Sequence, residues 1–323
     1  MYPLKTTPLF KQYIWGGDNM KKLYNKDIPG IPTAESWEVA CHPNGTVTVA
    51  NGKLAGATLS EIIEKAGSDL LGDNISTDEK FPLLLKVLDA KDKLSVQVHP
   101  NDEYAAINEN GEKGKTEMWY VLSAEPGAQL IYGFKEGVTK QGYADAIENG
   151  TLEDILNYVD VNAGDVFFIP AGTVHAIGAG LIIAEMQQNS DTTYRVYDYN
   201  RTDKDGNKRE LHIAKALDVS DISPPKGSVK SEGVTAVYDD NTAITYVTCE
   251  YFAFEEVSIK SEIELKTDGK MQILFFAEGA GNIIHTGDPV WCDAGDSVII
   301  PAATKEFSIV GKCKVLKFWV PSN

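Results

Sequence analysis

The chain has 323 residues, of which 43% are hydrophobic, and this is enough to bury one large or two medium-sized cores. Its formal net charge of −17 disfavours nucleic acid and anionic membranes as partners, whereas an anionic small molecule could bind where basic side chains gather in one cleft. The four cysteines show no C-x-x-C spacing, the N-terminus lacks the apolar segment of a secretory signal, and no apolar run is long enough to span a membrane. We therefore expect a cytoplasmic protein with reduced thiols, in which histidines and carboxylates would hold any metal.

The N-terminal region predicts packing elements rather than chemistry. The segment Glu35-Ser36-Trp37-Glu38 alternates in polarity, as on a strand with one buried face. Thr58 and Glu61 form a capping-box pattern, which predicts an amphipathic helix that ends at Gly67. Taken alone, Trp15 and the tryptophan of the first segment are typical of core residues.

The stretch from Phe81 to Pro100 predicts a β-hairpin, because two apolar runs are separated by a turn-like charged segment. In its second half, Ser95, Gln97 and His99 share one face, while the residues between them are apolar and would pack. A polar face that points into a barrel needs partners, and a bound cation or substrate is one such partner. A polar stripe that faces solvent would give the same pattern.

Lys115 and Glu117 stand two residues apart at the head of an apolar run, so they too share a face of a predicted strand. A surface ion pair is one interpretation of this pattern, since most such residues form nothing more. The other interpretation is that both side chains belong to a functional site.

A fourth ligand candidate lies at the end of the stretch from Gly164 to His175. A Gly-Asp turn leads into an apolar strand, and Pro170 and Gly172 close it with a tight turn that fixes the direction of the histidine. This spacing resembles the second metal-binding motif of the cupin superfamily of small β-barrels, although an ordinary strand and turn would also fit it. With Gln97, His99 and Glu117, this histidine would complete a set of two oxygen and two nitrogen ligands, which suits zinc and also admits iron, manganese or cobalt.

The strand predicted over residues 181–187 carries one carboxylate, Glu185, within an otherwise apolar run. Glu185 is a candidate acid or base, and the alternative is a carboxylate paired with Arg195 or Arg201. His212 lies in a predicted helix, and we expect it to be structural.

A repeat divides the chain. The segment 293–303 repeats the sequence pattern of 162–172, but Glu306 stands where His175 stands in the first copy. A Pro- and Gly-containing stretch at residues 223–228 marks the boundary between the two copies.

The repeat predicts a mainly β protein with two cupin (jelly-roll β-barrel) domains and a few short helices. Residues 1–225 would form the metal-binding catalytic domain, with its N-terminal strands and short helical connectors. Residues 226–323 would form a degenerate second cupin domain without metal, in which the single histidine, His285, cannot assemble a cage.

Several motifs resemble, in order, the type I phosphomannose isomerase family. They run from about residue 10 to residue 215 and comprise Tyr13-Ile14-Trp15-Gly16-Gly17, Glu35-Ser36-Trp37-Glu38, Leu94-Ser95-Val96-Gln97-Val98-His99-Pro100, Lys115-Thr116-Glu117, Gly172-Thr173-Val174-His175-Ala176 and the segment 187–199. The resemblance implies one zinc ion per chain at Gln97, His99, Glu117 and His175. It also implies that Arg195 and Lys115 are catalytic. The chain is shorter than the long members of the family and has little room for their helical insertion, so its substrate lid would be built differently.

The reaction that this resemblance implies interconverts mannose 6-phosphate and fructose 6-phosphate, and it moves a proton between C1 and C2 through an enediol(ate). Such a site needs a base and a cation where negative charge develops. Arg195 can stabilise that charge, and Lys115 beside a metal would suit proton transfer or ring opening. Lys86 and Ser95 are our candidates for binding the substrate phosphate, and Trp15 is a candidate for contacting the sugar.

Two other functions use the same residues. The ligands could serve a metal-dependent cupin oxygenase, but those sites commonly use two histidines and one carboxylate with open positions, and a fourth ligand at Gln97 argues against this class. A non-catalytic sugar-binding cupin is the second alternative. The sequence indicates a small phosphosugar as partner, and protein partners are unknown.

Overall fold

A computed structural model of the protein describes residues 1–77, 79–202 and 205–322, and it is mainly β, as the sequence predicts. The first elements are β1 (Leu4–Thr7), β2 (Leu9–Lys11), α1 (Asn19–Tyr24), β3 (Glu35–Val39), β4 (Cys41–His42), β5 (Gly45–Thr46), β6 (Thr48–Val49), α2 (Leu59–Ala66), α3 (Ser68–Leu71), β7 (Leu83–Ala90), β8 (Val96–Val98), α4 (Asp102–Asn108), β9 (Glu117–Ala124) and β10 (Gln129–Phe134). The next are α5 (Lys140–Glu148), α6 (Leu152–Ile155), β11 (Leu156–Asp160), β12 (Val166–Ile169), β13 (His175–Ile177), β14 (Leu181–Gln188), β15 (Tyr194–Tyr197) and α7 (Ile213–Val219). The last are β16 (Val234–Tyr238), β17 (Asn241–Thr248), β18 (Ala253–Ile259), β19 (Glu262–Lys266), β20 (Gln272–Ile284), β21 (Val290–Asp293), β22 (Ser297–Ile300) and β23 (Glu306–Trp319). None of the helices in these described ranges is long and apolar enough to cross a membrane.

Two sheets build the part of the chain that carries the predicted ligands. Six strands pair in the order β12-β9-β14-β7-β3-β2, and five pair in the order β11-β10-β13-β8-β15. Apolar side chains from both sheets, among them Trp119, Leu130 and Ile177, pack together in one core cluster. On β8, Val96 and Val98 pack with Tyr143 of α5 and Ala216 of α7, so the alternate residues of that strand face the other way.

The predicted hairpin between Phe81 and Pro100 is wrong. Both strands exist, but β7 pairs with β14 and β3 in the six-stranded sheet, whereas β8 pairs with β13 and β15 in the five-stranded sheet. All eight residues of β7 are buried, which is typical of a strand in the middle of a sheet rather than of one arm of a hairpin. The apolar pattern locates strands, but it does not select their partners.

The predicted helix signals are confirmed. Thr58 and Glu61 form the reciprocal capping box of α2, and the helix ends at Gly67, whose φ of 49° lies in the left-handed region. Asn101 caps α4 by accepting a hydrogen bond from the backbone N–H of Tyr104.

The predicted repeat is confirmed in its local structure. In both copies, an aspartate closes the turn before the strand: Asp165 accepts a 2.7 Å hydrogen bond from the backbone N–H of Asn162, and Asp296 accepts one of the same length from Asp293. The glycine within each turn has a positive φ, 89° at Gly164 and 95° at Gly295, a conformation that other residues rarely adopt.

The C-terminal strands form one ten-stranded sheet that also recruits the N-terminus of the chain. β1 pairs with β22 on one side and with β6 on the other. One core cluster joins residues of both halves, including Leu4, Val87 and Phe275. The division at residue 225 falls between α7 and β16, and it stays a prediction, as does a second complete barrel.

The buried ion pair between Lys26 and Glu38 links the N-terminal half of the chain to the C-terminal half. Lys26 lies 2.7 Å from Glu38 Oε1 and donates to the backbone carbonyl of Gly295, while Ser297 on β22 donates to Glu38 Oε2 at 3.0 Å. The side chains of Lys26 and Glu38 are only 8% and 1% exposed, so neither charge can turn to water. Removing one partner would leave the other buried and uncompensated.

We expect Glu38→Ala to lower the free energy of unfolding by about 3–5 kcal/mol, because it leaves the buried Lys26 ammonium without a counter-charge. Urea denaturation followed by circular dichroism measures this change. The matched control is Lys22→Ala, which breaks an exposed pair with Asp18 and should cost about 0–1 kcal/mol. Equal effects of the two substitutions would contradict the proposed role of Glu38.

Candidate active site

Three ligand candidates meet at one buried point between the two sheets. Ligand atoms of His99, Glu117 and His175 lie within 4.8 Å of one another, and all three residues are buried. His175 Nε2 is 3.3 Å from Glu117 Oε1, and His99 Nε2 is 3.5 Å from Glu117 Oε2. Gln97 is the cross-strand partner of His175, and its Nε2 lies 3.4 Å from His175 Nε2. The structure thus brings together all four residues that the sequence predicts as ligands.

Backbone carbonyls fix the tautomer of both histidines. His99 Nδ1 lies 2.9 Å from the carbonyl oxygen of Thr192, and His175 Nδ1 lies 2.8 Å from that of Thr173. Because a carbonyl oxygen only accepts, each Nδ1 must carry the proton, so each Nε2 carries a lone pair that faces Glu117. The Nε2 of His99 also lies 3.1 Å from Lys115 Nζ, from which it can accept a hydrogen bond. Burial holds the pKa of His99 well below its ordinary value and lowers that of His175 to about 4, so both rings are neutral at pH 7. Two neutral Nε2 atoms with their Nδ1–H groups held by carbonyls are what a metal ligand pair requires.

Glu117 carries the clearest sign of a missing partner. Neither of its buried carboxylate oxygens accepts a hydrogen bond from the residues that the structure describes, although Lys115 Nζ lies 2.6 Å from Oε2. Burial, and next the Glu185 carboxylate, raise the pKa of Glu117 to about 7. A cation between Glu117 and the two histidines would favour the ionised carboxylate and satisfy its oxygens. The donor set therefore fits a divalent metal of the zinc type.

A cavity of about 600 Å³ lies beside the ligand cluster, and Gln97 is the ligand candidate that lines it. Basic side chains outnumber carboxylates in its lining, in a protein of net charge −17. The charged lining residues are Lys11, Lys86, Lys115, Arg195, Arg209, Glu35, Glu185 and Asp191. Trp15 and Trp37 supply aromatic surface, and Trp15 stacks on Tyr13 with ring centroids 5.7 Å apart. Every predicted site residue outside the ligand cluster, namely Trp15, Lys86, Ser95, Lys115, Glu185 and Arg195, lines this one cavity.

Lys115, Lys86 and Glu185 form a buried charge network at the cavity floor. Lys115 Nζ lies 3.1 Å from His99 Nε2 and 4.0 Å from Glu185 Oε1, and Lys86 Nζ lies 3.5 Å from the same oxygen. Burial opposes ionisation of Glu185, but the two ammonium groups outweigh burial and lower the pKa of this carboxyl below its ordinary value. Trp119 Nε1 donates a further hydrogen bond to Glu185. The predicted alternative, a pair between Glu185 and Arg195 or Arg201, is wrong, because the cationic neighbours of Glu185 are lysines on the adjacent strands.

Arg195 has no carboxylate within ion-pair distance among the described residues. Its Nε donates to Ser95 Oγ at 3.3 Å and its Nη1 donates to the carbonyl oxygen of Glu210 at 3.0 Å. Asp198, three residues further along the chain, binds Arg201 and Arg209 instead. A half-buried guanidinium without a counter-charge faces the cavity, which is the arrangement expected of a group that binds an anionic ligand.

Sequence reasoning missed several lining residues. Lys11, Trp37 and Arg209 line the cavity, and Lys11 Nζ lies 4.5 Å from the centroid of the Trp37 ring. His212, which the sequence predicts to be structural, also lines the cavity, and its role stays a prediction. The sequence around Arg209 and His212 carries no local signal of a site. These residues lie at the cavity only because of the path that the chain takes after β15.

Among residues 226–322, all of which the structure describes, the second copy of the repeat has no comparable cluster of ligand candidates. Glu306, at the position equivalent to His175, is exposed and forms an ion pair with Lys266 at 3.0 Å. Both ring nitrogens of His285 are engaged, with Nδ1 accepting from the backbone N–H of Gly287 and Nε2 donating to the carbonyl of Asp288. No lone pair of this ring is left for a metal.

We therefore expect zinc-soaked crystals to show no anomalous peak beside Glu306 or His285, and one peak beside Glu117. Data collected at the zinc absorption edge measure both sites in one crystal. The peak at Glu117 is the internal control for soaking. A strong peak in the C-terminal half would disprove the expectation of a metal-free second copy.

A mainly β fold with a buried His/Glu/His cluster at the floor of a cationic cavity defines this protein as an enzyme of the cupin type. A model of the type I phosphomannose isomerase catalytic domain matches residues 3–123, and a model of the mannose-6-phosphate isomerase cupin domain matches residues 242–319. The chain is 41% identical to mannose-6-phosphate isomerase ManA of Bacillus subtilis (strain 168), over 96% of each chain. It is 38% identical to mannose-6-phosphate isomerase of Streptococcus mutans serotype c, over 96% of this chain and 97% of the relative.

The same relationship appears in three dimensions. The crystal structure of mannose 6-phosphate isomerase from Bacillus subtilis matches with a TM-score of 0.93 and 37% identity, covering 98% of this chain and 99% of that one. The chain belongs to the type I phosphomannose isomerase family, as the sequence motifs predict.

Proposed function

We propose that the protein interconverts mannose 6-phosphate and fructose 6-phosphate through an enediol(ate) intermediate. The observation that carries this proposal is the convergence of a His/Glu/His cluster, a buried lysine and an unpaired arginine on one cavity. The full-length relatives from Bacillus subtilis and Streptococcus mutans are mannose-6-phosphate isomerases, which supports mannose 6-phosphate as a substrate.

A zinc ion would be held by Gln97, His99, Glu117 and His175. Glu117 Oε1, which accepts no hydrogen bond from the described residues, and the two Nε2 atoms that face this carboxylate support the assignment. Gln97 would rotate its amide so that the oxygen, rather than Nε2, faces the cluster, because only the oxygen can act as a ligand. When bound, the metal would supply a Lewis acid at the sugar oxygens near C1 and C2.

Glu185 and Lys115 are the groups available to move protons in this cavity. Glu185 is ionised at neutral pH, since the adjacent lysines lower its pKa, so it is suited to accept a proton. Lys115 donates at the floor of the cavity, within reach of His99 and Glu117, and can deliver a proton to a sugar oxygen during ring opening. After Glu185 has taken the proton from one of the two carbons, it can return that proton to the other, so the proton balance of the isomerisation closes on this carboxyl group.

Arg195 would stabilise negative charge on the substrate as the enediol(ate) forms. It is the cross-strand partner of Gln97, so its backbone lies beside the ligand cluster. Its guanidinium is oriented by the Ser95 hydroxyl and the Glu210 carbonyl. Both acceptors are neutral, so the positive charge of Arg195 is not neutralised and remains available to the ligand.

Trp15, Ser95 and Lys86 would contact the sugar. Trp15 offers an apolar face of the kind that packs against a sugar ring, and Ser95 presents a hydroxyl beside Arg195. Lys86 lies between Glu35 and Glu185, which raise its pKa against the effect of burial and balance its charge. It is therefore better placed to bind sugar hydroxyls than to hold a phosphate group. Four cysteines without disulfides fit the cytoplasmic location that we infer.

A coupled assay with mannose 6-phosphate, run with metal analysis of the same sample, tests the proposal. We expect formation of fructose 6-phosphate in the absence of dioxygen, with about one zinc per chain. An oxygenase would need iron and dioxygen, and a sugar-binding module would bind without turnover. Tight binding of mannose 6-phosphate without product, in a zinc-loaded sample, would reject the isomerase.

A further inference from the structure

The loop that follows β15 returns two side chains to the wall of the cavity. Arg209 and His212 line the cavity beside Arg195 and Ser95. The side chains of Arg209 and His212 are 31% and 29% exposed, so both are partly accessible from the open side. The predicted chemistry of the site, which needs a metal, an acid/base pair and one cation, assigns neither residue a task.

Two hydrogen bonds with Arg195 fix His212. The backbone N–H of Arg195 donates to His212 Nδ1 at 3.3 Å, and the backbone N–H of His212 donates to the carbonyl of Arg195 at 2.8 Å. Because Nδ1 accepts, the proton of the neutral ring must reside on Nε2. Nε2 forms no hydrogen bond with the residues that the structure describes, and Oε2 of the exposed Glu210, at 3.9 Å, is beyond hydrogen-bond distance. His212 therefore presents a free N–H donor at the cavity wall.

Arg209 is held by one edge only. Its Nε and Nη2 donate to the two oxygens of Asp198, the geometry of a fork held in a fixed orientation. Its remaining nitrogen, Nη1, donates to none of the residues that the structure describes. Asp198 thus positions Arg209 and leaves part of the guanidinium free for a ligand in the cavity.

This wall carries more positive charge than it can balance. Asp198 is shared by Arg201 and Arg209, and Arg195 has no carboxylate of its own. Three guanidinium groups therefore lie around one buried carboxylate, and Arg201 also reaches the exposed Asp92 at 3.4 Å. Burial, followed by the charges of Arg209 and Arg201, lowers the pKa of Arg195, which shows that the cations crowd one another. In a chain of net charge −17, such a concentration of cations indicates a site for an anion.

The position of this wall suits the far end of a phosphosugar. Ser95, which contacts Arg195, lies two residues before Gln97, and thus about 7 Å along the strand from it. That separation is comparable with the length of a hexose carbon chain. A sugar with C1 and C2 at the ligand cluster would therefore carry its 6-phosphate to this wall.

We propose that Arg209 and His212 bind the phosphate group of the substrate, Arg209 through its free Nη1 and His212 through Nε2–H. The assignment rests on the proposed isomerase function and adds two binding residues that the ligand and acid/base analysis does not supply. Asp198 is a positioning residue, because it acts by holding Arg209.

The experiment compares Arg209→Gln and His212→Phe with wild type. The two substrates are mannose 6-phosphate and unphosphorylated mannose, and the inhibitor is inorganic phosphate. We expect Arg209→Gln to raise KM for mannose 6-phosphate, and Ki for inorganic phosphate, about tenfold to a hundredfold, because a charged donor to phosphate is lost. His212→Phe keeps the ring but removes the donor, and it should raise both constants several-fold. Turnover of unphosphorylated mannose, measured at high enzyme concentration, should change less than threefold in either variant.

Arg201→Gln is the matched control. Arg201 binds the same carboxylate, at 2.6 Å from Asp198 Oδ1, but it does not line the cavity, so its loss disturbs Asp198 without removing a phosphate donor. It should leave Ki for inorganic phosphate within about threefold of wild type. The same rise in Ki for Arg201→Gln as for Arg209→Gln would overturn the proposal, because the effect would then come through Asp198.

Two further outcomes separate the proposal from the isomerase function. If wild type turns over mannose 6-phosphate and Arg209→Gln leaves both KM and Ki unchanged, the phosphate assignment is wrong and the isomerase stands. If wild type shows no isomerase activity, calorimetric titration with inorganic phosphate still decides: weaker binding to folded Arg209→Gln supports the anion site, and equal binding rejects it.

Discussion

Replacing His175 by alanine is expected to remove the bound metal and to lower kcat/KM by about three orders of magnitude. The imidazole is fully buried, and its Nδ1–H is held by the Thr173 carbonyl, so no neighbouring side chain can take its place. A Lewis acid that stabilises developing charge contributes several kcal/mol to the transition state, which corresponds to roughly a thousandfold in rate. Metal content by mass spectrometry and turnover in the coupled assay measure the two losses on one sample.

The control for this experiment is His285→Ala. His285 is a histidine of the second copy, and both of its ring nitrogens are bound to the backbone of its own turn. Its removal should leave metal content and turnover unchanged. Full zinc occupancy in folded His175→Ala would contradict the ligand assignment. His99→Ala is expected to lose metal and turnover as His175→Ala does.

The ligand cluster could be predicted because its information is local. Period-two spacing places Gln97 and His99 on one face of β8, and it places Lys115 and Glu117 on one face at the head of β9. The turn after Pro170 then directs His175 towards the same point, and the cross-strand pair of His175 with Gln97 completes the geometry. The order of the motifs along the chain predicted the family, and the match to the solved Bacillus subtilis structure confirms it.

What could not be predicted depends on contacts between distant segments. The partners of β7 lie about a hundred residues further on, in β14, and no feature of the predicted hairpin indicates them. The pairing of Glu185 with lysines rather than arginines follows from that sheet order, since Lys86 is its cross-strand neighbour. Arg209 and His212 reach the cavity through an irregular loop, where neither strand nor helix periodicity applies.

The two sheets divide the chemistry between them. The six-stranded sheet carries the proposed base Glu185 on β14 and the ligand candidate Glu117 on β9, with Lys86 on the neighbouring β7. The five-stranded sheet carries His175 on β13 and Arg195 on β15, and His99 directly follows its strand β8. A cavity between rigid sheets can therefore hold a sugar with proton-transfer groups on one side and charge-stabilising groups on the other.

We expect a folded, zinc-replete Arg195→Ala protein whose turnover is lower by roughly two to three orders of magnitude. Loss of one preorganised donor at developing charge typically costs this much, and the effect falls on kcat more than on KM if the charge exists only in the transition state. Arg195 contacts Ser95 and a backbone carbonyl but no carboxylate. Its removal therefore leaves no buried anion without a counter-charge, and the free energy of unfolding should change little. Single-turnover kinetics, metal analysis and urea denaturation measure the three quantities.

Arg195→Lys separates charge from geometry. Lysine keeps the positive charge but loses the planar fork, which can hold the Ser95 hydroxyl and the Glu210 carbonyl while it contacts the substrate. We expect turnover between that of wild type and that of the alanine variant, because the charge is present but no longer held in place. If Arg195→Ala retains near-normal kcat while its free energy of unfolding falls, Arg195 is a structural residue, and Lys115 becomes the principal catalytic cation. If instead both variants raise KM and leave kcat intact, Arg195 belongs with Arg209 as a binding residue, and the stabilisation of developing charge must come from the metal site alone.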